Sequence, residues 1–115
     1  MIFSVILPMP PTTNNLFVNV GKSRKPSEQY VAWMRNAILE TFAQVPAANR
    51  IGGLITITMQ VPAKTPGDID NRIKAAVDCL VKSRRIDDDK NVWSITITRS
   101  HLLKEGVRIT VEAAE

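Results

Sequence analysis

The chain has 115 residues, of which 44% are hydrophobic and 23% charged, and these values are typical of one globular domain over residues 1–115. The net charge of +4 favours a polyanionic partner such as nucleic acid. No apolar run is long enough to cross a membrane, one cysteine excludes an intramolecular disulfide, and one histidine provides neither a zinc site nor a Ser-His-Asp triad.

The N-terminal half predicts one strand and one helix around a proline-rich segment. The apolar, β-branched run at 2–7 predicts a strand, whereas the prolines and paired asparagines at 8–15 exclude regular structure. Residues 16–20 return to an extended pattern, and 21–26 form a basic loop, which is either a solvated connector or an arm that contacts phosphate. A three-to-four spacing of apolar residues predicts a helix over 27–44, with the serine at its first position as N-cap.

The C-terminal half predicts three strands and a second helix. Alternating residues predict strands at 54–61 and 92–100, and an apolar stripe predicts a helix over 69–82 that frays at its end. Residues 104–106 are typical of a hairpin turn, which would join the second of these strands to a last strand at 107–111. The order β-α-β-α-β-β predicts an α+β fold, a small mixed β-sheet with two helices in a single domain.

Every aspartate of the chain lies between residues 68 and 89. Asp68 just before the second helix and Asp70 in its first turn can point the same way, and Lys74 follows one turn later on the face of Asp70. Mg²⁺ prefers oxygen ligands and keeps several waters for the substrate. These two carboxylates and one from the turn 87–89 therefore favour a magnesium site.

Each part of this pattern also has a purely structural explanation. Asp68 or Asp70 would act as a helix N-cap, and Asp70 with Lys74 would form an i,i+4 ion pair worth roughly 0.2–0.5 kcal/mol. The three consecutive aspartates would be a solvated turn. For Asp78 we favour the structural explanation, an i,i+4 pair with Lys82 on the helix surface. The features taken together, in a chain with no other aspartates, favour the metal site.

The segment Asp68-Ile-Asp-Asn-x-x-Lys-Ala-Ala-x-Asp-x-Leu, followed by Asp88-Asp89-x-Asn-Val, resembles the RusA family of Holliday-junction endonucleases. The opening Leu7-Pro-Met-Pro-Pro-Thr-Thr-Asn-Asn is similar to the family's Pro-x-Pro-Pro-Ser/Thr-x-Asn-Asn motif. The resemblance covers nearly the whole chain. It implies a RusA-like homodimer in a bacterial or phage-infected cytoplasm, without membrane association. This dimer would cut four-way DNA junctions in recombination and repair with Mg²⁺, or with Mn²⁺ in its place.

The resemblance also implies roles for individual residues. The family's essential, metal-binding aspartates correspond to Asp68, Asp70 and Asp89, and its catalytic lysine corresponds to Lys74. The family pattern has a pair of aspartates where this chain has three, so Asp88 stays an alternative to Asp89 as the ligand.

Contacts with DNA are expected from polar and basic side chains beside the metal ligands. Some family members carry several arginines just before the first aspartate, where this chain has one basic residue, Lys64. Other residues must then supply the contacts. The predicted DNA-binding residues are Asn14, Asn15, Lys22, Arg24, Lys25, Asn71, Arg84 and Arg85.

Two other functions stay open from the sequence. A non-cleaving module of the same fold would bind junctions or other nucleic acid, and its activity would be unchanged by Asp70→Asn. A phosphohydrolase acting on small nucleotides is the second alternative. The basic residues outside the acidic stretch favour a longer polyanion over a nucleotide.

Overall fold

Six strands and two α-helices form in residues 1–114, the part of the chain that the computed structural model describes. The strands are β1 (Ile2–Leu7), β2 (Phe17–Val20), β3 (Ser23–Pro26), β4 (Ile55–Pro62), β5 (Val92–Ser100) and β6 (Val107–Ala113). The helices are α1 (Glu28–Gln44) and α2 (Ile73–Lys82). Short 3₁₀ turns at Ile69–Arg72 and Asp89–Asn91 precede α2 and β5. Neither helix in this part of the chain has the length and apolar character needed to span a bilayer.

The main sheet has the strand order β1-β6-β4-β5, and β2 and β3 form a separate hairpin. β6 is antiparallel to both β1 and β4, whereas β4 and β5 are parallel. Parallel neighbours require a crossover connection, and α2 provides it because it lies between β4 and β5 in the chain. The predicted α+β fold, with a mixed sheet and two helices, is therefore confirmed.

β4 lies at the centre of the core, since alternate residues of this strand are almost fully buried. Ile55, Ile57, Met59 and Val61 each expose 1% or less of their surface. The residues between them are more exposed, as expected for a strand with one covered face. The same core cluster contains buried residues of both helices, among them Leu80 of α2.

α1 begins and ends where the sequence predicts. The Ser27 side chain accepts a hydrogen bond from the Tyr30 N–H at 3.1 Å, as an N-cap does. At the other end, Val45 has extended backbone angles of φ −122° and ψ 110°. The following Pro46 disfavours a helical conformation in the residue before it, and this explains why the helix stops at Gln44.

Residues 21–26, predicted as a basic loop, instead form the turn and second strand of the β2–β3 hairpin. Val20 pairs with Ser23 across a two-residue turn that begins with Gly21, whose φ is +63°. A glycine with positive φ at this position is typical of tight hairpins. The Ser-Arg-Lys-Pro sequence of β3 has low intrinsic strand preference, so its pairing with β2 determines its conformation.

The predicted hairpin at 104–106 is wrong, because β5 and β6 are not neighbours. β4 lies between them, pairing with β5 on one side and with β6 on the other. After β5 the chain crosses the C-terminal end of β4, where Gln60 pairs with Arg108 of β6. The turn residues correctly predict a reversal of chain direction, but they carry no information about which strand lies alongside.

Both ends of the second helix differ from the prediction. Its first four residues, Ile69–Arg72, adopt the tighter 3₁₀ geometry. Its C-terminus, expected to fray, is instead closed by Arg84 with φ +59° and by a 3.0 Å hydrogen bond from the Arg85 N–H to the Leu80 carbonyl. A residue in the left-handed region after the last turn is a common way to end a helix.

The two outer edges of the main sheet differ in their protection. On β1, the Ile6 N–H donates to Gln44 Oε1 and the Ile6 carbonyl accepts from Gln44 Nε2, both at 2.8 Å. On β5, by contrast, Trp93 and Ile95 expose 72% and 42% of their surface. An exposed, apolar edge strand is a ready template for pairing with another chain.

Replacement of Gly106 by alanine is expected to lower the free energy of unfolding by about 2–4 kcal/mol. Gly106 has φ +71°, and an added Cβ would lie 2.5 Å from the backbone oxygen of Leu7, which cannot move without disturbing β1. Gly21→Ala is the matched control, because Gly21 has φ +63° but no atom within 4 Å, and it should cost only about 1 kcal/mol. Urea denaturation of both variants gives the comparison, and equal losses would contradict the close-contact argument.

Candidate functional site

α2, the 3₁₀ turn Asp89–Asn91 and the first half of β5 line a cavity of about 390 Å³. Its charged lining residues are Lys74, Asp78, Asp89 and Lys90. Its apolar lining residues are Ile73, Val77, Val92 and Ile95. The cavity therefore brings together Lys74 and Asp89, two of the predicted catalytic residues, which lie in separate parts of the aspartate motif.

Asp78 is held at this cavity from two sides and does not lie free on the helix surface. The Tyr30 hydroxyl donates a hydrogen bond to Asp78 Oδ2 at 2.7 Å, and Lys74 Nζ lies 3.8 Å from the same oxygen. Lys82, the expected partner, instead lies over the ring of Tyr30, 5.8 Å from its centroid. The predicted Asp78–Lys82 pair is therefore wrong, since Tyr30 holds the Asp78 carboxylate on the side of Lys74.

Asp88 and Asp89 are adjacent but have different environments. Asp88 Oδ1 accepts a hydrogen bond from the Lys90 N–H at 3.0 Å, and this bond, followed by one to Asp89, lowers the pKa of Asp88. The hydrogen bond with Asp88, followed by desolvation, raises the pKa of Asp89. Asp88 thus acts as the cap of the 3₁₀ turn, and of the two only Asp89 lines the cavity. This geometry favours Asp89 over Asp88 as the functional carboxylate.

Asp68 and Asp70 are not part of the cavity lining. Gly67, directly before Asp68, accepts a 3.1 Å hydrogen bond from Arg99 near the C-terminus of β5. Asp68 makes no side-chain cap bond, and among residues 1–114 Asp70 forms no ion pair with Lys74 or any other cation. These two exposed carboxylates therefore form neither the helix N-cap nor the i,i+4 ion pair that would have explained them structurally.

Within the described part of the chain, no group of three His, Cys, Asp or Glu side chains is close enough to hold a metal ion. The joint ligand set of Asp68, Asp70 and Asp89 stays a prediction. Asp87, the first acid of the turn, forms an ion pair with Arg50 outside the cavity. The donors are chemically suited to a hard cation, because solvent-exposed carboxylates are ligands that Mg²⁺ prefers.

The proline-rich segment packs directly against the start of the aspartate stretch. Thr13 Oγ1 donates to the backbone oxygen of Asn71 at 3.2 Å, and Arg72 Nη1 donates to that of Pro10 at 2.6 Å. The predicted DNA contacts at 14–15 are exposed on the 3₁₀ turn that includes Thr13. The two motifs that carry the family resemblance are thus neighbours in space.

Three of the predicted DNA-binding residues, Lys22, Arg24 and Lys25, are exposed together on the β2–β3 hairpin. The Arg24 guanidinium lies 5.0 Å from the centroid of the Phe17 ring. Phe17 in turn meets Tyr30 edge to face, with ring centroids 5.9 Å apart. The basic hairpin therefore packs through Phe17 against Tyr30, the α1 residue that holds Asp78 at the cavity.

Arg84 and Arg85, both predicted to contact DNA, have opposite environments. Arg84 is exposed at the end of α2. Arg85 is only 6% exposed, and its guanidinium donates to the carbonyls of Val45 at 3.0 Å and Ser83 at 2.8 Å and lies over Phe42. The prediction for Arg85 is corrected, because its donors join the ends of the two helices and are not accessible to phosphate.

Tyr30, Asp78 and Lys90 belong to this site but are not among the residues predicted from the sequence. The i,i+4 spacing of Lys74 and Asp78 is a visible signal, since such pairs are neighbours on a helix. Tyr30, by contrast, is 48 positions from Asp78, and no local pattern connects the two residues.

Comparison with protein families gives a match over most of the chain. The family model described as endodeoxyribonuclease RusA matches residues 8–112. A search of curated proteins gives no match. The matched segment contains both the paired asparagines of the N-terminal motif and the complete aspartate stretch.

Arg85→Ala is expected to lower the free energy of unfolding by about 2–4 kcal/mol, because two buried carbonyls lose a charged donor and Phe42 loses its cover. The adjacent Arg84→Ala serves as control and should change stability by only about 0.5 kcal/mol, since its side chain is exposed. Guanidinium denaturation measures both. Similar stability of the two variants would contradict the structural role assigned to Arg85.

Proposed function

Because the chain belongs to the RusA family of endodeoxyribonucleases, we propose that it resolves four-way (Holliday) DNA junctions by paired hydrolysis of phosphodiester bonds. The setting would be recombination or repair in a bacterial or phage-infected cytoplasm, with residues 1–115 forming one endonuclease domain. The observation that carries this proposal is the shared cavity of Lys74 and Asp89. This cavity is a specific site that supports the family activity, and a shared fold alone would not give that support.

A branched polyanion as substrate is supported by the distribution of positive charge. Lys22, Arg24 and Lys25 extend from the body on an exposed hairpin, and Arg84 is exposed at the end of α2. Lysine and arginine side chains that neutralise phosphates release counterions, and this supplies most of the affinity for nucleic acid. The exposed asparagines at 14–15 and Asn71 would add neutral contacts beside the site. The basic residues would position the DNA, whereas its branched shape would provide the selectivity.

For the metal, we infer that Asp68, Asp70 and Asp89 hold Mg²⁺, with Mn²⁺ as an alternative. Asp68 and Asp70 support this assignment because their carboxylates are exposed and form no ion pair among residues 1–114. When bound, the metal would supply Lewis-acid charge at the scissile phosphate. The chain's own part is to orient these carboxylates and to bring the phosphate to them.

Lys74 would stabilise negative charge that develops on the scissile phosphate or on the leaving oxygen. Its ammonium lies at a cavity with an apolar lining that includes Val77 and Ile95. A cation held in place before the reaction stabilises such charge more effectively than one that must first move into position. Lys90, in the 3₁₀ turn that lines the same cavity, would add a second positive charge.

A non-cleaving junction-binding or nucleic-acid-binding module of the same fold is the second candidate. The observation in its favour is that three acidic side chains do not meet at one point within residues 1–114. Such a module would retain the basic hairpin and bind branched DNA without hydrolysis. The two candidates therefore differ in cleavage and not in binding.

Symmetric cleavage of a junction requires two sites related by a two-fold axis, and a homodimer with one site per protomer provides them. β5 supports this part of the proposal, because it is a 9-residue edge strand with an exposed Trp93. Its one charged residue, Arg99, donates to carbonyls at 63, 65 and 67 and so does not guard the edge. On the opposite edge of the sheet, Gln44 occupies the backbone N–H and carbonyl of Ile6.

Asp89→Asn is expected to reduce cleavage of a synthetic four-way junction by at least about 100-fold while junction binding is retained, because the carboxylate acts on the reaction and not on affinity. Labelled junction and linear duplex are incubated with and without Mg²⁺, and products are separated on denaturing gels. Asp87→Asn is the control, since Asp87 pairs with Arg50 away from the cavity. Full cleavage by the Asp89 variant would reject the role assigned to Asp89, whereas no cleavage by the parent protein with either metal would favour the binding module.

Trp93→Lys is expected to raise the dimer dissociation constant by about tenfold or more, since a charge on an exposed edge opposes strand pairing. Sedimentation equilibrium measures the change. Leu102→Lys is the control, because Leu102 is 93% exposed in the loop after β5 and lies outside the strand edge. A parent protein that stays monomeric at high concentration would rule out the dimer, and equal effects of both variants would exclude β5 as its interface.

A further inference from the structure

Lys74 has a long side chain on α2, and half of the surface of that side chain is accessible to solvent. An unrestrained lysine has four rotatable bonds and samples many positions. A cation that stabilises developing charge must instead be held near one position, because misplacement by about 1 Å can cost about 100-fold in rate. Some neighbouring group must therefore restrain the Lys74 ammonium.

We propose that Tyr30 and Asp78 are positioning residues, which together hold the Lys74 ammonium at the cavity beside Asp89. The Tyr30 hydroxyl fixes Asp78 Oδ2 through a 2.7 Å hydrogen bond, and the same oxygen lies 3.8 Å from Lys74 Nζ. This inference rests on the proposed function, since it concerns the lysine that acts on the scissile phosphate. Neither residue would touch the substrate.

Tyr30 can act as a fixed anchor because its ring is immobilised by packing. It is only 4% exposed, Phe17 contacts it edge to face, and Lys82 lies over its ring. Burial, followed by the hydrogen bond to Asp78, raises the pKa of the Tyr30 hydroxyl above its usual range. The hydroxyl therefore keeps its proton at all ordinary pH values and remains a donor to Asp78.

Asp78 also determines which carboxylate Lys74 pairs with. Lys74 has an aspartate four residues away on each side, Asp70 and Asp78, and both spacings allow contact on a regular helix. The structure pairs Lys74 with Asp78 alone among residues 1–114. Asp70 lies in the preceding 3₁₀ turn, whose tighter winding shifts it away from the helical face of Lys74. The arrangement thus leaves Asp70 free for the metal that the proposed function assigns to it.

The test uses three variants of the full chain: Tyr30→Phe, Asp78→Asn and the double variant. Single-turnover cleavage of a four-way junction is measured at saturating protein, and the junction dissociation constant is measured separately. Tyr30→Phe should slow cleavage by about tenfold and Asp78→Asn by about 10- to 100-fold, with unchanged affinity. The double variant should be no slower than Asp78→Asn, because Tyr30 acts only through Asp78.

Acetylation of Lys74 by a lysine-specific reagent, followed by mass spectrometry, is a readout that needs no cleavage. Acetylation should be faster in both single variants than in the parent protein, because the ammonium is no longer restrained, while Lys104 should be unchanged. Asp87→Asn is the matched control, since it removes a nearby carboxylate that lies outside the cavity. It should leave both the cleavage rate and Lys74 acetylation as they are in the parent protein.

The outcomes separate this inference from the proposed function. A parent protein that cleaves, with Tyr30→Phe equally fast and Lys74 equally reactive, would overturn the positioning role. Lower melting temperatures without slower cleavage below the transition would assign the contacts to stability and would also overturn it. A parent protein that cleaves no junction would reject the proposed function, and Lys74 acetylation in the variants would still decide whether Tyr30 and Asp78 restrain the lysine.

Discussion

The parallel pairing of β4 with β5 is the constraint on which the arrangement of this site depends. The chain must return along the sheet before the second strand can begin, and α2 provides that return. Asp68 consequently follows Gly67, which Arg99 contacts near the C-terminal end of β5, whereas Asp89 begins the 3₁₀ turn that leads into the first residue of the strand. Lys74 and Asp78 lie on the helix that connects these two ends, and the cavity forms between that helix and β5.

Elements with strong hydrophobic periodicity could be predicted from the sequence almost to the residue. Strands β1 and β5 occupy the predicted 2–7 and 92–100, and α1 starts at the predicted cap. The β2–β3 hairpin could not be predicted, because Ser23–Pro26 becomes a strand only through its partner. The separation of β5 from β6 could not be predicted either, since turn residues specify a change of chain direction and not the identity of the neighbouring strand.

Residues of the site could be predicted where a residue type at a fixed spacing in the sequence identifies them. They could not be predicted where packing between distant segments determines their position. Lys74 and Asp89 follow from the aspartate motif, and the structure places both at one cavity. The exposure of a charged residue could not be predicted in this way. Arg84 and Arg85 are adjacent residues of the same type, yet Arg85 is buried against α1. The contact between Tyr30 and Asp78 depends on how the two helices pack, which no local pattern contains.

The magnitudes of these contacts indicate which of them serve the fold. The Lys74–Asp78 pair is half-exposed, with its closest atoms 3.8 Å apart, and such i,i+4 pairs contribute roughly 0.2–0.5 kcal/mol. This is a small part of the about 5–15 kcal/mol that stabilises a domain. The buried hydrogen bonds of Arg85 contribute several times more. Arg85 is therefore explained by stability, whereas the ion pair at Lys74 adds little to stability, and the role we propose for it is to direct a positive charge toward the cavity.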